Sequence, residues 1–407
     1  MRSISRRYFQ SLLAGAPASS LVAQDWPQWR GPNRDGIAPA STSPAQWPEK
    51  LKQNWKVPVG EGHSAPVVGG NHVYQFARTG EREVAAAYDL TSGKKLWEAG
   101  YAAPYEMNNA ATAHGKGPKA TPVLAGGKLY TFGIAGMLTC FDAATGKKVW
   151  ENGTSGKWAE TAPTFGVAMS PILSGSDLIA HVGNDKKGAL TAFDAQSGRV
   201  RWQWSGDGPA YASPVFLKTS SGVQIVTFSS EKFVGVDARD GSLQWQLPFT
   251  SPYAQNSVTP IVMNDVILFS GLSNPLTAVR VSGKTVQKLW ENREVGMYMS
   301  SPVLAGNLLH GLTNRNKGQF FSLDPKSGKT VWTGEGRQTE NAMLISRGDT
   351  VFALTSESEL IVMRASPKGL EPLRKYTVAN SPTWAHPVVL GNRVLIKDRD
   401  SLALWTA

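Results

Sequence analysis

The sequence predicts an all-β fold: a single eight-bladed β-propeller of four-stranded blades, closed by an N-terminal strand that completes the last blade. Three observations predict it. A D-x3-G-x3-W motif recurs with identical internal spacing, and a proline followed by a β-branched residue recurs with it. Short runs of β-forming residues lie between the two. The repeat averages about 46 residues, the length of a four-stranded propeller blade and too long for leucine-rich or tetratricopeptide units.

The first motif occurs as Asp89/Gly93/Trp97, Asp142/Gly146/Trp150, Asp194/Gly198/Trp202, Asp237/Gly241/Trp245 and Asp324/Gly328/Trp332. A worn copy without the aspartate ends at Trp290, and a further one at Tyr376. The aspartate is placed to end the third strand and accept hydrogen bonds from turn amides. The glycine supplies a positive φ for a tight hairpin. The tryptophan follows on the outer strand, where it buries a large ring between neighbouring blades. These residues are read as structural.

The second motif marks inner-strand starts at Pro66, Pro122, Pro171, Pro214, Pro260, Pro302 and Pro387, with Ala342-Met343-Leu344 taking that place in the seventh unit. Eight starts imply eight blades, but the chain stops after about three strands of the last. The segment Gln53-Asn54-Trp55-Lys56-Val57 reads as its missing outer strand, and pairing it there removes the sheet edges that an open array leaves. Seven blades with a ragged end is the alternative.

Composition narrows the function classes. Of 407 residues 18% are charged, below the usual share, which excludes a coiled coil or a charged tail protein. No apolar run reaches the length of a membrane span. One cysteine, Cys140, excludes an internal disulfide framework and a cysteine-rich zinc site, and it reads as an inert buried thiol. The net charge of +11 is spread along the chain without a Lys/Arg block, which points away from nucleic acid. Phosphate-loop, zinc-helix and nucleophile-elbow signatures are missing. Residues 1–24 read as an export signal: Ser5-Arg6-Arg7-Tyr8-Phe9 is a twin-arginine pattern, and Leu21-Val22-Ala23 offers a cleavage site. An ordinary secretion signal with a chance arginine pair stays open. The expected division is a signal at 1–24, an N-terminal extension at 25–50 and the propeller at 51–407, placed in the periplasm or outside the cell.

The D-x3-G-K-x2-W turns, such as Asp142-Ala143-Ala144-Thr145-Gly146-Lys147-Lys148-Val149-Trp150, resemble those of the pyrroloquinoline-quinone-like β-propeller repeat family across the mature chain. Asp25-Trp26-Pro27-Gln28-Trp29-Arg30-Gly31-Pro32-Asn33-Arg34-Asp35-Gly36 is similar to an opening seen in secreted bacterial members. The resemblance implies either a quinoprotein dehydrogenase of sugars or alcohols or a non-enzymatic scaffold similar to the outer-membrane barrel assembly lipoprotein. The dehydrogenases imply pyrroloquinoline quinone with calcium, a vicinal cysteine pair and a catalytic aspartate. The single cysteine excludes the pair, so no catalytic residue and no metal ligand is carried over, and no cofactor is expected.

Binding is expected where outer strands lead to the next inner strand, around one mouth of the axial channel. The residues three before each proline converge there: His63, Lys119, Ala168, Tyr211, Ser257, Met299 and Trp384. With their neighbours, the candidate ligand-binding set is His63, Asn108, His114, Phe165, Tyr211, Asn256, Tyr298, Glu340, Trp384 and His386. Mixed aromatic, amide and imidazole groups suit a peptide or a small polar ligand. The connections at 98–121 and 151–170 are longer than the rest and belong to consecutive blades, so they are expected to rise together and carry Tyr101, Tyr105, Glu106, Asn109, Lys116, Trp158, Glu160 and Thr164 to one side of that face. The expected partner is an envelope protein, a peptide or a small polar ligand bound by a monomer. A quinone-dependent oxidoreductase remains the other reading, with an unrelated enzyme or a polysaccharide-binding module beyond it.

Ring closure yields a test. Deleting residues 25–57 leaves three strands in the last blade and strips Trp55 of its site, a loss of about 3–5 kcal/mol for the ring alone. The deletion is expected to aggregate or become protease-sensitive. Trp55→Ala is expected to lower the melting temperature about as much as Trp150→Ala. A 25–57 deletion that melts like the mature chain contradicts closure by this strand.

Overall fold

The computed structural model describes residues 25–40, 44, 46–153 and 162–407, so the expected export signal lies outside the described residues. β-Branched and aromatic runs punctuated by glycine turns leave little room for helix. The helical turns among the described residues are 3-10 segments at Asn109–His114, Pro252–Ala254 and Arg315–Lys317. The remaining regular structure is strand, in eight four-stranded antiparallel sheets. The inner strands of blades one to eight are Val67–Gly69, Val123–Ala125, Ile172–Ser174, Val215–Thr219, Ile261–Met263, Val303–Ala305, Ala342–Arg347 and Val388–Leu390.

Seven blades are continuous in sequence. The eighth takes its inner three strands from the C-terminus and its outer strand, Lys52–Pro58, from the N-terminal side. That strand pairs antiparallel with Ser401–Thr406, from Lys52 opposite Thr406 to Pro58 opposite Ser401. Eight blades and the closing strand are both present, and the seven-blade alternative falls.

The repeat motif works between blades. Asp89 closes the third strand of blade one, and its Oδ1 accepts the amides of Thr91 and Ser92 at 3.1 and 2.7 Å. Gly93 follows at φ 72°. The ring lying on Gly93 is Trp55, from the blade before it. The same step recurs as Trp97 on Gly146, Trp150 on Gly198, Trp202 on Gly241 and Trp290 on Gly328. A Cβ at Gly93 or Gly198 would stand 2.7 Å from the ring, so glycine is needed for space as well as for its φ. Indole N–H groups lock the contact onto backbone carbonyls, Trp97 to Ala143 and Trp150 to Ala195 at 2.9 Å, and Trp55 to Leu90 at 3.0 Å. Trp332 lies instead on Gly369 of the shorter blade-seven hairpin.

Trp245 corrects the expectation that every motif tryptophan packs between blades. Blade five has no aspartate turn to receive it, because its outer hairpin turns tightly at Gly283. The Trp245 ring stays in its own blade against Phe233, centroids 5.4 Å apart, and its N–H donates to Gln224 Oε1 at 2.7 Å. Gln224 in turn donates to the Gly283 carbonyl at 3.0 Å and so bridges the two blades.

A belt of hydroxyls runs along the inner rim, one residue before five of the seven strand-start prolines. Thr121 N donates to Ser170 Oγ at 2.9 Å, Ser170 N to Ser213 Oγ at 3.0 Å, and Thr259 N to Ser301 Oγ at 3.0 Å. Each bond ties one blade to the next.

The N-terminal extension is not an appendage: residues 26–38 fill the axis. Inner strands turn an unpaired edge toward the channel, and this segment satisfies it. Trp26, fully buried, exchanges backbone hydrogen bonds with Val68 in both directions at 2.9 Å. Pro27 O accepts from Leu124, while Gly36 O and Ala38 N bond Ser346. Arg34 donates to the carbonyls of Pro214, Pro171 and Ser170 at 2.8, 2.9 and 3.0 Å. Arg30 donates to Pro302 O at 2.5 Å and Ser301 O at 3.1 Å. Trp29 N–H reaches Thr259 Oγ1 at 3.0 Å, and its ring meets His386 edge-on with centroids 4.5 Å apart. Every blade is touched. Burial lowers the Arg30 and Arg34 guanidiniums to about 10 and about 9, still cationic at neutral pH.

Arg34→Met removes the donors from three buried carbonyls, each of which costs about 1–3 kcal/mol when left unsatisfied. Urea unfolding is expected to show a loss of at least about 3 kcal/mol, with Arg34→Lys recovering part of it. A loss within about 0.5 kcal/mol, the range of ordinary surface changes, contradicts the plug as a source of stability.

Candidate binding funnel

Above the plug, the mouth of the channel forms a funnel with a cavity of about 150 Å³. All seven residues three before a strand-start proline line it: His63, Lys119, Ala168, Tyr211, Ser257, Met299 and Trp384. Trp29 supplies the floor, with Met343, Gln255, His114, Phe165 and His386 completing the wall.

Each wall residue is held from behind. The first long connection caps its 3-10 turn with Asn108, whose Oδ1 accepts Ala110 N at 2.9 Å. The turn ends at His114, whose carbonyl lies 3.0 Å from His63 Nε2, so that nitrogen carries the proton. His114 then meets Trp384 edge-on, centroids 5.2 Å apart, and His63 stands 6.3 Å from the same ring. The second connection is pinned where Thr164 N donates to Asp185 Oδ2 at 3.0 Å and Phe165 N to the Tyr211 hydroxyl at 3.3 Å. This brings Phe165 edge-on to Tyr211 at 5.8 Å, and the Lys119 ammonium donates to the Phe165 carbonyl.

Six of the ten candidate residues therefore meet in the funnel: His63, His114, Phe165, Tyr211, Trp384 and His386. Asn108 stands in the adjoining cleft instead. Asn256 is fully buried and holds the blade-four rim, donating to Ser229 O at 2.9 Å and Ser230 O at 3.2 Å while accepting from Ser251 Oγ. Glu340 is exposed away from the cavity, and Tyr298 pairs with Gln255 behind the wall. Sequence reasoning missed Trp29, Met343 and Gln255. Nothing local marks Trp29 as a floor residue, because its place depends on a plug assembled from all eight blades.

The two long connections stand together, as expected. They frame a cleft of about 600 Å³ beside the funnel, with Tyr105, Glu106 and Asn108 from one and Pro163 and Thr164 from the other. Trp158 and Glu160 lie outside the described residues. Beneath the cleft Glu83 accepts Tyr101 OH and Ile134 N, both at 2.7 Å, and burial raises its carboxyl above the usual range.

The funnel's field is positive and its imidazoles are neutral. Burial, reinforced by Lys397 and Lys119, lowers His63 to about 3, and burial with Arg30 nearby holds His386 well below its ordinary value. Burial lowers Lys119 to about 8. Among the described residues, Lys119 is the charged residue of the wall and no carboxylate lines it.

These residues do not fit calcium-held pyrroloquinoline quinone. Among the described residues the wall offers no acidic ligand, and no group of three His, Cys, Asp or Glu side chains is placed to hold a metal. Cys140 is buried in a strand of blade two, with its thiol pushed up to about 12.

A family model described as "Outer membrane protein assembly factor BamB" matches residues 80–334. The chain belongs to this PQQ-like propeller family. The chain is 23% identical to outer membrane protein assembly factor BamB of Yersinia pestis over 256 residues, covering 58% of this chain and 63% of that protein. It is 28% identical over 121 residues to quinohemoprotein alcohol dehydrogenase ADH IIB of Pseudomonas putida, covering 29% of this chain and 17% of the dehydrogenase. The chain thus spans less than two thirds of the length of either relative. Among solved structures, BamB from Moraxella catarrhalis matches with a TM-score of 0.62 at 13% identity, over 88% of this chain and 98% of that one. Quinohemoprotein alcohol dehydrogenase from Comamonas testosteroni matches with a TM-score of 0.66 at 14% identity, over 96% of this chain and 81% of that one.

Buried histidines set an acid limit. Burial lowers His181 and His310 to about 4, and both would titrate near 6.5 in the unfolded chain. Between these values the unfolded state binds more protons, so their contribution to stability is present above pH 6.5 and is lost as pH falls toward 4. His310→Gln is expected to flatten the stability slope between pH 6 and 4.5 by about 1.4 kcal/mol per pH unit. An unchanged slope in urea titrations contradicts the assignment.

Proposed function

We propose that the protein is a cofactor-free binding scaffold of the bacterial envelope, exported to the periplasm or beyond by its N-terminal signal, that holds a partner protein on its loop-bearing face. The observation that carries this reading is the asymmetry of that face. The two long connections stand side by side against a funnel walled by aromatic rings, whereas the opposite face carries repetitive aspartate turns. Kinship with a family named for an assembly factor supports a protein partner. The poor fit of the funnel to a calcium-held quinone weighs against the oxidoreductase reading, and the monomer already closes its own ring.

Face-specific cross-linking tests it. A photo-reactive residue at Asn109, exposed on the first long connection, is expected to trap an envelope protein in living cells. The same residue at Thr91, exposed in an aspartate turn, is expected to trap none. Equal trapping at both positions, or none at either, overturns the proposal.

A further inference from the structure

We propose that the funnel is a socket for one aromatic side chain of the partner polypeptide, presented beside a carboxylate in the same segment. This rests on the scaffold reading and names the chemistry its site recognises. Four observations carry it.

The cavity of about 150 Å³ has the capacity for a single six-membered ring. Its wall is built for such a ring: Trp29, Trp384, Phe165 and Tyr211 offer faces and edges, while Met299 and Met343 offer polarisable sulfur. Lys119 brings a mostly buried cation to the wall with no carboxylate among the described residues there to neutralise it, so an anion on the incoming segment is complemented and a cation is opposed. The socket is also preformed. Trp29 is tied to Thr259 and to His386, and Phe165 and Tyr211 are tied through the backbone, so little ordering is demanded of the protein on binding.

The probe is a capped tetrapeptide, acetyl-Ala-Asp-Phe-Ala-amide carrying para-fluorophenylalanine, followed by fluorine NMR on the full mature chain. It is expected to bind. Replacing its phenylalanine by alanine is expected to weaken competition at least about tenfold, the scale of a lost anchor residue, and replacing its aspartate by lysine about fivefold. Ser257→Trp, which fills the cavity from its wall, is expected to abolish binding while the melting temperature stays that of the parent. Lys119→Gln is expected to erase the preference for aspartate and keep the dependence on phenylalanine. The proposal is overturned by absence of binding at millimolar peptide, by binding that survives Ser257→Trp, or by free phenylacetate binding as tightly as the peptide, which marks a small-molecule site. Absence of peptide binding by the parent chain while cross-linking at Asn109 persists removes the socket and leaves the scaffold standing. Absence of both in the parent chain removes the two readings together.

Discussion

A propeller directs the edges of its inner strands at one axis, and what satisfies those edges decides what the molecule becomes. Each edge carries backbone groups with no neighbouring strand, and water in a narrow apolar channel is a poor substitute. Here the first described residues of the chain return to the axis, bond backbone groups of six blades and touch a side chain of each of the other two. The choice of arginine follows from the strand starts. Pro171, Pro214 and Pro302 have no N–H, so the groups left open at the rim are carbonyls, and carbonyls need donors. Arginine presents five donors in a rigid fork and no acceptor, which allows Arg34 to serve two blades at once. A lysine in its place would carry the charge and lack the geometry.

Around that axis, cohesion between blades comes from two devices at different radii. Near the channel the hydroxyl belt passes hydrogen bonds from blade to blade. On the outer strands, a tryptophan laid on the glycine of the next turn converts a backbone requirement into a packing surface. Both devices depend on small, local identities, which explains how blades of low mutual similarity still mesh. Between blades four and five the glycine turn is absent, and Gln224 replaces ring stacking with a hydrogen-bonded bridge. The ring stays closed because the contact is exchanged, not lost.

How much of this was legible in the sequence depends on how local each signal is. The Asp-Gly-Trp spacing lies within one hairpin and each proline start within one strand, so turn chemistry could be read from the first, and blade number and the need for a closing strand from the second. The funnel wall was also legible, because one fixed offset from a proline places a residue at the rim in seven of the eight blades. The failures share a cause. Asn256 and Glu340 lie near strand starts yet answer to loop paths that no periodicity encodes, and Trp245 turned inward because of a feature in the following blade. The plug was invisible for the same reason: Trp26, Trp29, Arg30 and Arg34 acquire roles only when eight distant strands converge on them. The serine or threonine before most of the prolines was a local signal that was present and passed over.

The segment that seals the axis also builds the site. Trp29 closes the funnel from below, so the depth of the cavity is set by the plug and not by the blades. Related propellers with the same blades and a different axis would hold a deeper channel, which separates fold from function within one family. The arginines that neutralise the rim carbonyls leave their charge beneath the floor, next to His386 and on the same axis as Lys119. Protonating His63 and His386 is therefore opposed twice, by burial and by a standing positive field, and both imidazoles stay neutral across ordinary pH. A floor, a size limit and a sign of charge thus all descend from one short stretch of chain that the repeat itself does not contain.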